Sequence, residues 1–224
     1  MQNQSRIVVE NISPQVNNGD VFIKRVVNEI VNVTADVLVD GHDVLQASLL
    51  YKHESEKSWS ETRMEPTFND EYIATFQTKK QGFYTYKVEG WVDYALNWQH
   101  GIERKIDDSQ HVNSELLEGA ELLFAIVDKV TPKEKEYLLH LIFIFKNSET
   151  YHEAIKEATS KKLTLILKKH PEKFLTDTSK EYQVYVDRKK ASFSTWYEFF
   201  PRSASEQDGK PVSYTHLRAH ETRH

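Results

Sequence analysis

The sequence predicts a mainly β protein: an Ig-like antiparallel β-sandwich carrying a helical-bundle insertion. Three observations predict it. The first hundred residues hold short runs rich in β-branched and aromatic side chains, separated by turn signals. Around Ile106 the apolar residues change to helical spacing. Strand character then returns at Tyr182-Gln183-Val184-Tyr185-Val186.

Val8-Val9-Glu10-Asn11-Ile12 reads as the opening strand, stopped by Ser13-Pro14. Val21-Phe22-Ile23-Lys24 follows an Asn17-Asn18-Gly19-Asp20 turn. In residues 29–39, Val31, Val33, Ala35, Val37 and Val39 make one continuously apolar face, as a half-buried strand needs. After the Asp40-Gly41-His42-Asp43 turn, Ala47, Leu49 and Tyr51 alternate, and Trp59 and Met64 flank a short strand. Tyr72-Ile73-Ala74-Thr75-Phe76 and a long strand from Phe83 to Trp91 bring the total to six or seven.

Leu116, Leu117, Ala120, Leu123 and Val127 then mark a helix. Residues 132–146 predict a second, with Pro132 in the first turn and Leu138, Leu139, Ile142 and Phe145 on one side. Residues 150–169 predict a third with Ile155, Leu163, Ile166 and Leu167 as its stripe, ended by His170-Pro171. Helices between two strand regions imply an insertion into the sandwich. The expected division is sandwich 1–105 plus 181–192 and helical insert 106–180.

Composition limits the function. A 224-residue chain with 39% hydrophobic and 28% charged residues is an ordinary globular protein. A net charge of −5 argues against nucleic acid or an anionic membrane as the main partner. Without cysteine there is no disulfide framework, thiolate metal site or Cys nucleophile. Met1 to Glu10 lacks the apolar core of a secretory signal. Tyr137 to Phe145 is far short of the roughly 20 apolar residues that span a bilayer. The expectation is a soluble, cytoplasmic protein.

The last strand runs into Val186-Asp187-Arg188-Lys189-Lys190-Ala191-Ser192-Phe193-Ser194-Thr195-Trp196-Tyr197-Glu198-Phe199-Phe200-Pro201-Arg202-Ser203. This string resembles the junction in the maltosyltransferases that extend α-1,4-glucan from α-maltose 1-phosphate. Arg6 to Pro14 resembles that family's opening strand, and Val39-Asp40-Gly41-His42-Asp43 its first sandwich turn. Glu89-Gly90-Trp91-Val92-Asp93-Tyr94 with Trp98 resembles the strand leaving the sandwich. Leu116-Leu117-Glu118-Gly119-Ala120-Glu121-Leu122 resembles the start of the helical insert. The likeness covers roughly residues 6–205 in order.

The resemblance implies that the chemistry lies elsewhere. In this family a (β/α)₈ barrel supplies a carboxylate nucleophile and a carboxylic acid, and the reaction proceeds with retention. Residues 193–207 would be only the start of such a barrel, and one strand cannot make one. The expectation is therefore a non-catalytic N-terminal and dimerisation region, truncated before the barrel. It carries no catalytic, substrate-binding or metal residues and takes no cofactor. Its partners would be a second copy, the missing barrel and α-1,4-glucan, with no nucleic acid and no membrane. The alternative is a stand-alone glucan-binding β-sandwich module. Pro211 to His224 departs from the family and resembles translated adapter, so 208–224 is expected to be a non-native tail.

Several residues carry two readings. His216, His220 and His224 share a helical face that suits a divalent metal, or belong to a tail of accidental composition. His42 and His53 lie at turns with acidic neighbours and no supporting ligand spacing. Tyr84, Tyr86, Trp91, Tyr94 and Trp98 make either a sugar-stacking platform or interior packing. Asp93, Glu103, Asp107 and Asp108 are carboxylates with no acid–base spacing, and read as caps or solvated charges. Arg202 braces a barrel loop or contacts donor phosphate. Leu138, Leu139, Ile142, Phe143, Ile144 and Phe145 exceed what one buried face requires, which suggests a subunit interface for part of the stripe.

Overall fold

A computed structural model describes residues 6–193. Its strands are β1 (Ile7–Ser13), β2 (Ile23–Val26), β3 (Ile30–Val39), β4 (Leu45–His53) and β5 (Ser60–Arg63), then β6 (Glu65–Pro66), β7 (Glu71–Gln77) and β8 (Gly82–Asp93). Five helices follow: α1 (Tyr94–Asp107), α2 (Asn113–Ile126), α3 (Pro132–Lys146), α4 (Tyr151–Ala158) and α5 (Lys161–Lys169). Strands β9 (Lys173–Thr178) and β10 (Tyr182–Asp187) complete the order.

One sheet has the order β1-β3-β7-β6 and the other β2-β10-β8-β4-β5, with β9 also on β8. The alternation in β3 holds: Val31, Val33, Ala35 and Val37 are fully buried. They meet Ala47 and Leu49 of β4 and Tyr84, Tyr86 and Val88 of β8 in one apolar core between the sheets. The fold is thus mainly β with a block of helices. The returning strand β10 lies antiparallel to β8 (Val184 opposite Tyr84) and parallel to β2 (Val184 opposite Ile23). Both chain segments that flank the helices therefore end in one sheet.

The helices form a second core from Leu96, Trp98, Ile102, Leu116, Leu123, Leu138, Leu141 and Leu163, among others. A capping box opens α3: the Thr131 hydroxyl accepts from Glu134 N, and the Glu134 carboxylate accepts from Thr131 N at 2.9 Å.

Three elements differ from expectation. Helix begins at Tyr94, twelve positions before the expected change of period, because Asp93 caps it. Tyr94-Ala95-Leu96-Asn97-Trp98 reads by alternation as more strand. The expected helix over 150–169 is two, broken at Thr159-Ser160, where the Ser160 hydroxyl accepts from Leu163 N at 3.2 Å and restarts the chain as α5. Strand β9 has no apolar alternation, since it is an edge strand exposed along most of its length.

The residues up to Asp187, with both sheets and these helices, make one compact unit, and a second begins at Arg188. The described part of the second holds a short 3-10 helix at Lys189–Phe193. The expected barrel start from residue 194 and the tail at 208–224 lie outside the described residues.

Candidate functional site

The chain leaves β8 for the helices through Trp91 and Asp93, and charge organises that exit. Trp91 is fully buried. The Arg63 guanidinium and the Lys173 ammonium each stand 4.6 Å from its ring. Lys173 also holds Glu89 at 2.6 Å and Glu61 at 3.0 Å. Asp93 is buried, and its Oδ1 accepts from Leu96 N at 3.1 Å, satisfying an orphan donor of α1. Arg63 donates to Lys168 O at 2.7 Å in the last turn of α5. Two strand residues thus cap the first helix at its positive end and the last at its negative end, each with complementary charge.

Burial sets the titration of this cluster. It pushes the Asp93 carboxyl up, against the pull of the Leu96 amide and of Arg63. It draws the Arg63 guanidinium down, opposed by Asp93, Glu61 and Glu65. Asp93 Oδ2 and Trp91 Nε1 are buried without hydrogen-bond partners among the described residues. The cluster fits a structural clasp between sheets and helices.

The five aromatics do not form a platform. Tyr84 and Tyr86 share a face, as alternation requires, but that face is the core. The Tyr84 hydroxyl accepts from Lys79 N and Lys80 N, and the Tyr86 hydroxyl donates to Pro14 O. Trp98 is buried against Phe145, and its Nε1 donates to Glu115 O at 2.5 Å. Only Tyr94 of the five is exposed, at 38%, with its ring edge-on to Phe174 at 5.1 Å. The other four rings are buried, with Trp98 bordering the cleft along α1 and α2.

The histidines and carboxylates separate likewise. His53 is buried between Ser55 Oγ and Gln81 O, whereas His42 is exposed on a loop. Glu103, Asp107 and Asp108 are exposed near the end of α1, apart from Asp93 at its start. Among the described residues no group of three or more His, Asp or Glu could hold a metal ion. No described helix is long and apolar enough to cross a membrane. Arg202, His216, His220 and His224 lie outside the described residues.

Two surfaces lie on the helical block. A cleft of about 400 Å³ runs along α1 and α2, lined by Tyr94, Trp98, Gly101, Lys105, Glu115 and Glu118 among others, with Asp43 from the turn between β3 and β4. Asp43 accepts from Asn97 Nδ2 at 3.1 Å, and Asn97 Oδ1 accepts from Val44 N at 2.5 Å, so the turn is tied to α1. Elsewhere on the helices, Leu139 and Phe143 of α3 are 47% and 65% exposed, and Leu117 and Phe124 of α2 are 50% and 62% exposed. Lys146 of α3 reaches Glu121 of α2 at 3.1 Å. The apolar stripe of α3 divides: Leu138, Leu141, Ile144 and Phe145 point inward, and Leu139 and Phe143 outward. The one-sided set expected from spacing (Leu138, Leu139, Ile142, Phe145) mixes the two, because a helix apolar nearly all round offers periodicity no side to choose.

Two facing sheets interrupted by a helical block, clasped by capping charges, define a β-sheet domain with a helical insertion. The chain belongs to the family of α-1,4-glucan:maltose-1-phosphate maltosyltransferases, whose model for domain N/S matches residues 5–188. It is 34% identical over 206 residues to the enzyme of that name from Chlorobaculum tepidum, covering 92% of this chain and 31% of that protein. It is 34% identical over 207 residues to the one from Salinibacter ruber (91% and 30%) and 35% identical over 211 residues to the one from Myxococcus xanthus (91% and 32%). The chain thus spans about a third of the length of these curated relatives.

Proposed function

We propose that this chain is the non-catalytic N-terminal and dimerisation region of a maltosyltransferase. The whole enzyme would transfer maltosyl from α-maltose 1-phosphate to the non-reducing end of α-1,4-glucan, in the cytoplasm. The carrying observation is the match of residues 5–188 to domain N/S, in a chain about a third as long as its relatives. Its sheets would be an Ig-like sandwich with helices inserted between β8 and β10, and residues 193–207 would open the catalytic barrel. The reacting carboxylates would belong to the part of the relatives that this chain does not span.

The exposed pairs Leu117/Phe124 and Leu139/Phe143 support a subunit contact, since side chains of this size gain about 1.5–3 kcal/mol each when fully buried. Sedimentation velocity on the full chain tests it, with maltosyl transfer assayed in parallel. A dimer that dissociates on Phe124→Glu with Phe143→Glu, and that transfers no maltosyl, is the expected result. A native monomer removes the dimerisation role, and transfer by this chain removes the non-catalytic one. A second reading, a glucan-binding module, has one observation in its favour: the cleft on α1.

A further inference from the structure

Helix α1 contains a glycine that its own fold does not require. Gly101 sits mid-helix, where glycine costs about 1 kcal/mol relative to alanine. A Cβ placed there would meet no atom within 4 Å. The contrast is Gly119 of α2, where an added Cβ would lie 2.1 Å from the Trp98 ring. Packing therefore accounts for Gly119 and leaves Gly101 unexplained. Gly101 is exposed and lines the cleft with Tyr94 and Lys105, two turns and one turn away along the same face of α1. A missing side chain at that point lets a flat ligand lie close against the helix.

The walls indicate its chemistry. Tyr94, 38% exposed, is the open aromatic wall, with Phe174 of β9 edge-on beside it and outside the lining. One exposed aromatic face suits stacking against a pyranose ring. Asp43, Glu115 and Glu118 supply three carboxylates against two cations, Lys105 paired with Glu115 and Arg6 at 3.6 Å from Asp43, which leaves the lining acidic by one charge. An acidic lining repels phosphate and accepts hydrogen bonds from hydroxyl groups, so a neutral sugar fits where a sugar phosphate does not. Asn97 adds an amide whose second N–H is not used by Asp43.

We propose that the Tyr94–Gly101 face of α1 binds a neutral α-1,4-linked glucan chain. This surface lies on the helical block and takes in Tyr94 and Trp98 of the five aromatics, whereas Tyr84 and Tyr86 lie in the core between the sheets. The choice of sugar rests on the glucan reading given above. The site holds polymer and excludes the phosphorylated donor, so it would act as an anchoring site away from any chemistry.

The test is calorimetric titration of the full 224-residue chain with maltoheptaose, with cellopentaose as the β-linked control. Expected is binding of maltoheptaose with a Kd in the millimolar range, and none of cellopentaose. Tyr94→Ala should weaken it about tenfold, the loss of one stacking face. Gly101→Gln, which fills the floor, should abolish it, while Phe143→Ala on the distant apolar stripe should leave it unchanged. Circular dichroism confirms that each variant folds, and Tyr94→Ala stands alone if Gly101→Gln does not. No binding at about 10 mM maltoheptaose, a ceiling equivalent to only about −3 kcal/mol, overturns the proposal. So does affinity unchanged in both cleft variants. A chain that dimerises through α2 and α3 yet binds no maltoheptaose overturns the cleft alone and leaves the dimerisation reading intact. Loss of the dimer in Tyr94→Ala with maltoheptaose affinity unchanged would make the cleft a subunit contact, which also overturns it.

Discussion

Replacing Gly119 by alanine should destabilise the helical block, although alanine is the better helix former. The built Cβ falls 2.1 Å from Trp98 Cζ2, 2.6 Å from Cε2 and 2.8 Å from Cη2, all atoms of one rigid ring. Carbon atoms at rest stand about 3.5–4.0 Å apart, so the ring or α2 must shift by roughly 1.5 Å. That ring has no free direction. It is buried, packed on Phe145 and anchored through Nε1 to Glu115 O at 2.5 Å. Overpacking a core costs about 1–3 kcal/mol and loss of the indole hydrogen bond about 1 kcal/mol more. Against this stands a helix-propensity gain of about 1 kcal/mol. The net loss is about 1–3 kcal/mol, or a Tm lower by about 2–12 °C for a chain of this size. Gly101→Ala is the internal control: with no atom within 4 Å it keeps only the propensity gain, so Tm should rise by about 2–4 °C. Thermal unfolding followed at the helical dichroism band reads both. A rise in Tm for Gly119→Ala would refute the idea that close approach to Trp98 selects this glycine.

The capping clasp makes its own predictions. Asp93→Ala should cost about 1–2 kcal/mol by leaving the α1 start uncapped, while Asp93→Asn keeps an acceptor for Leu96 N and should unfold within about 0.5 kcal/mol of the native chain in urea. Because burial raises the Asp93 pKa, the folded chain holds this proton to higher pH than the unfolded chain. Its contribution to stability is full below the ordinary aspartate range and declines as pH rises through the raised value. Asp93→Asn should remove that component from urea midpoints taken across acidic pH. Glu134 has the opposite sign: hydrogen bonds from Lys169 and from Thr131 hold it down at about 2. Its contribution is present above the ordinary glutamate pKa and fades as pH falls toward 2, so NMR titration should place its midpoint well below that of a free glutamate. Trp98→Ala, which empties the centre of the second core, should cost about 3–5 kcal/mol and abolish the two-state helical transition near its native temperature.

Much of this protein is legible from its residues. Alternation alone placed the buried face of β3, because a strand with one wet face repeats every two residues and Val31, Val33, Ala35 and Val37 follow that period without a break. Pro132 marks the start of α3 for an equally local reason, and the structure adds the capping box of Thr131 and Glu134 beside it. Five strings in order carried the family, and domain N/S matches the stretch that contains most of them.

Other features depended on contacts distant in sequence. Asp93 reads as one more carboxylate in an apolar strand until it meets the first amides of α1. Its partner charge, Arg63, lies thirty positions earlier, on β5, and reaches the end of α5. The aromatic set invites a ligand because side-chain type says nothing of which face is covered; the second sheet covers Tyr84 and Tyr86, the helical core takes Trp98, and Tyr94 alone stays exposed. The two glycines of the helices look alike in sequence, and only the Trp98 ring beside Gly119, with empty space beside Gly101, tells them apart. Local periodicity determined which segments became strand or helix, because backbone geometry is local. Which faces met each other, and so which remained open to a partner, was decided by packing between segments that periodicity cannot relate.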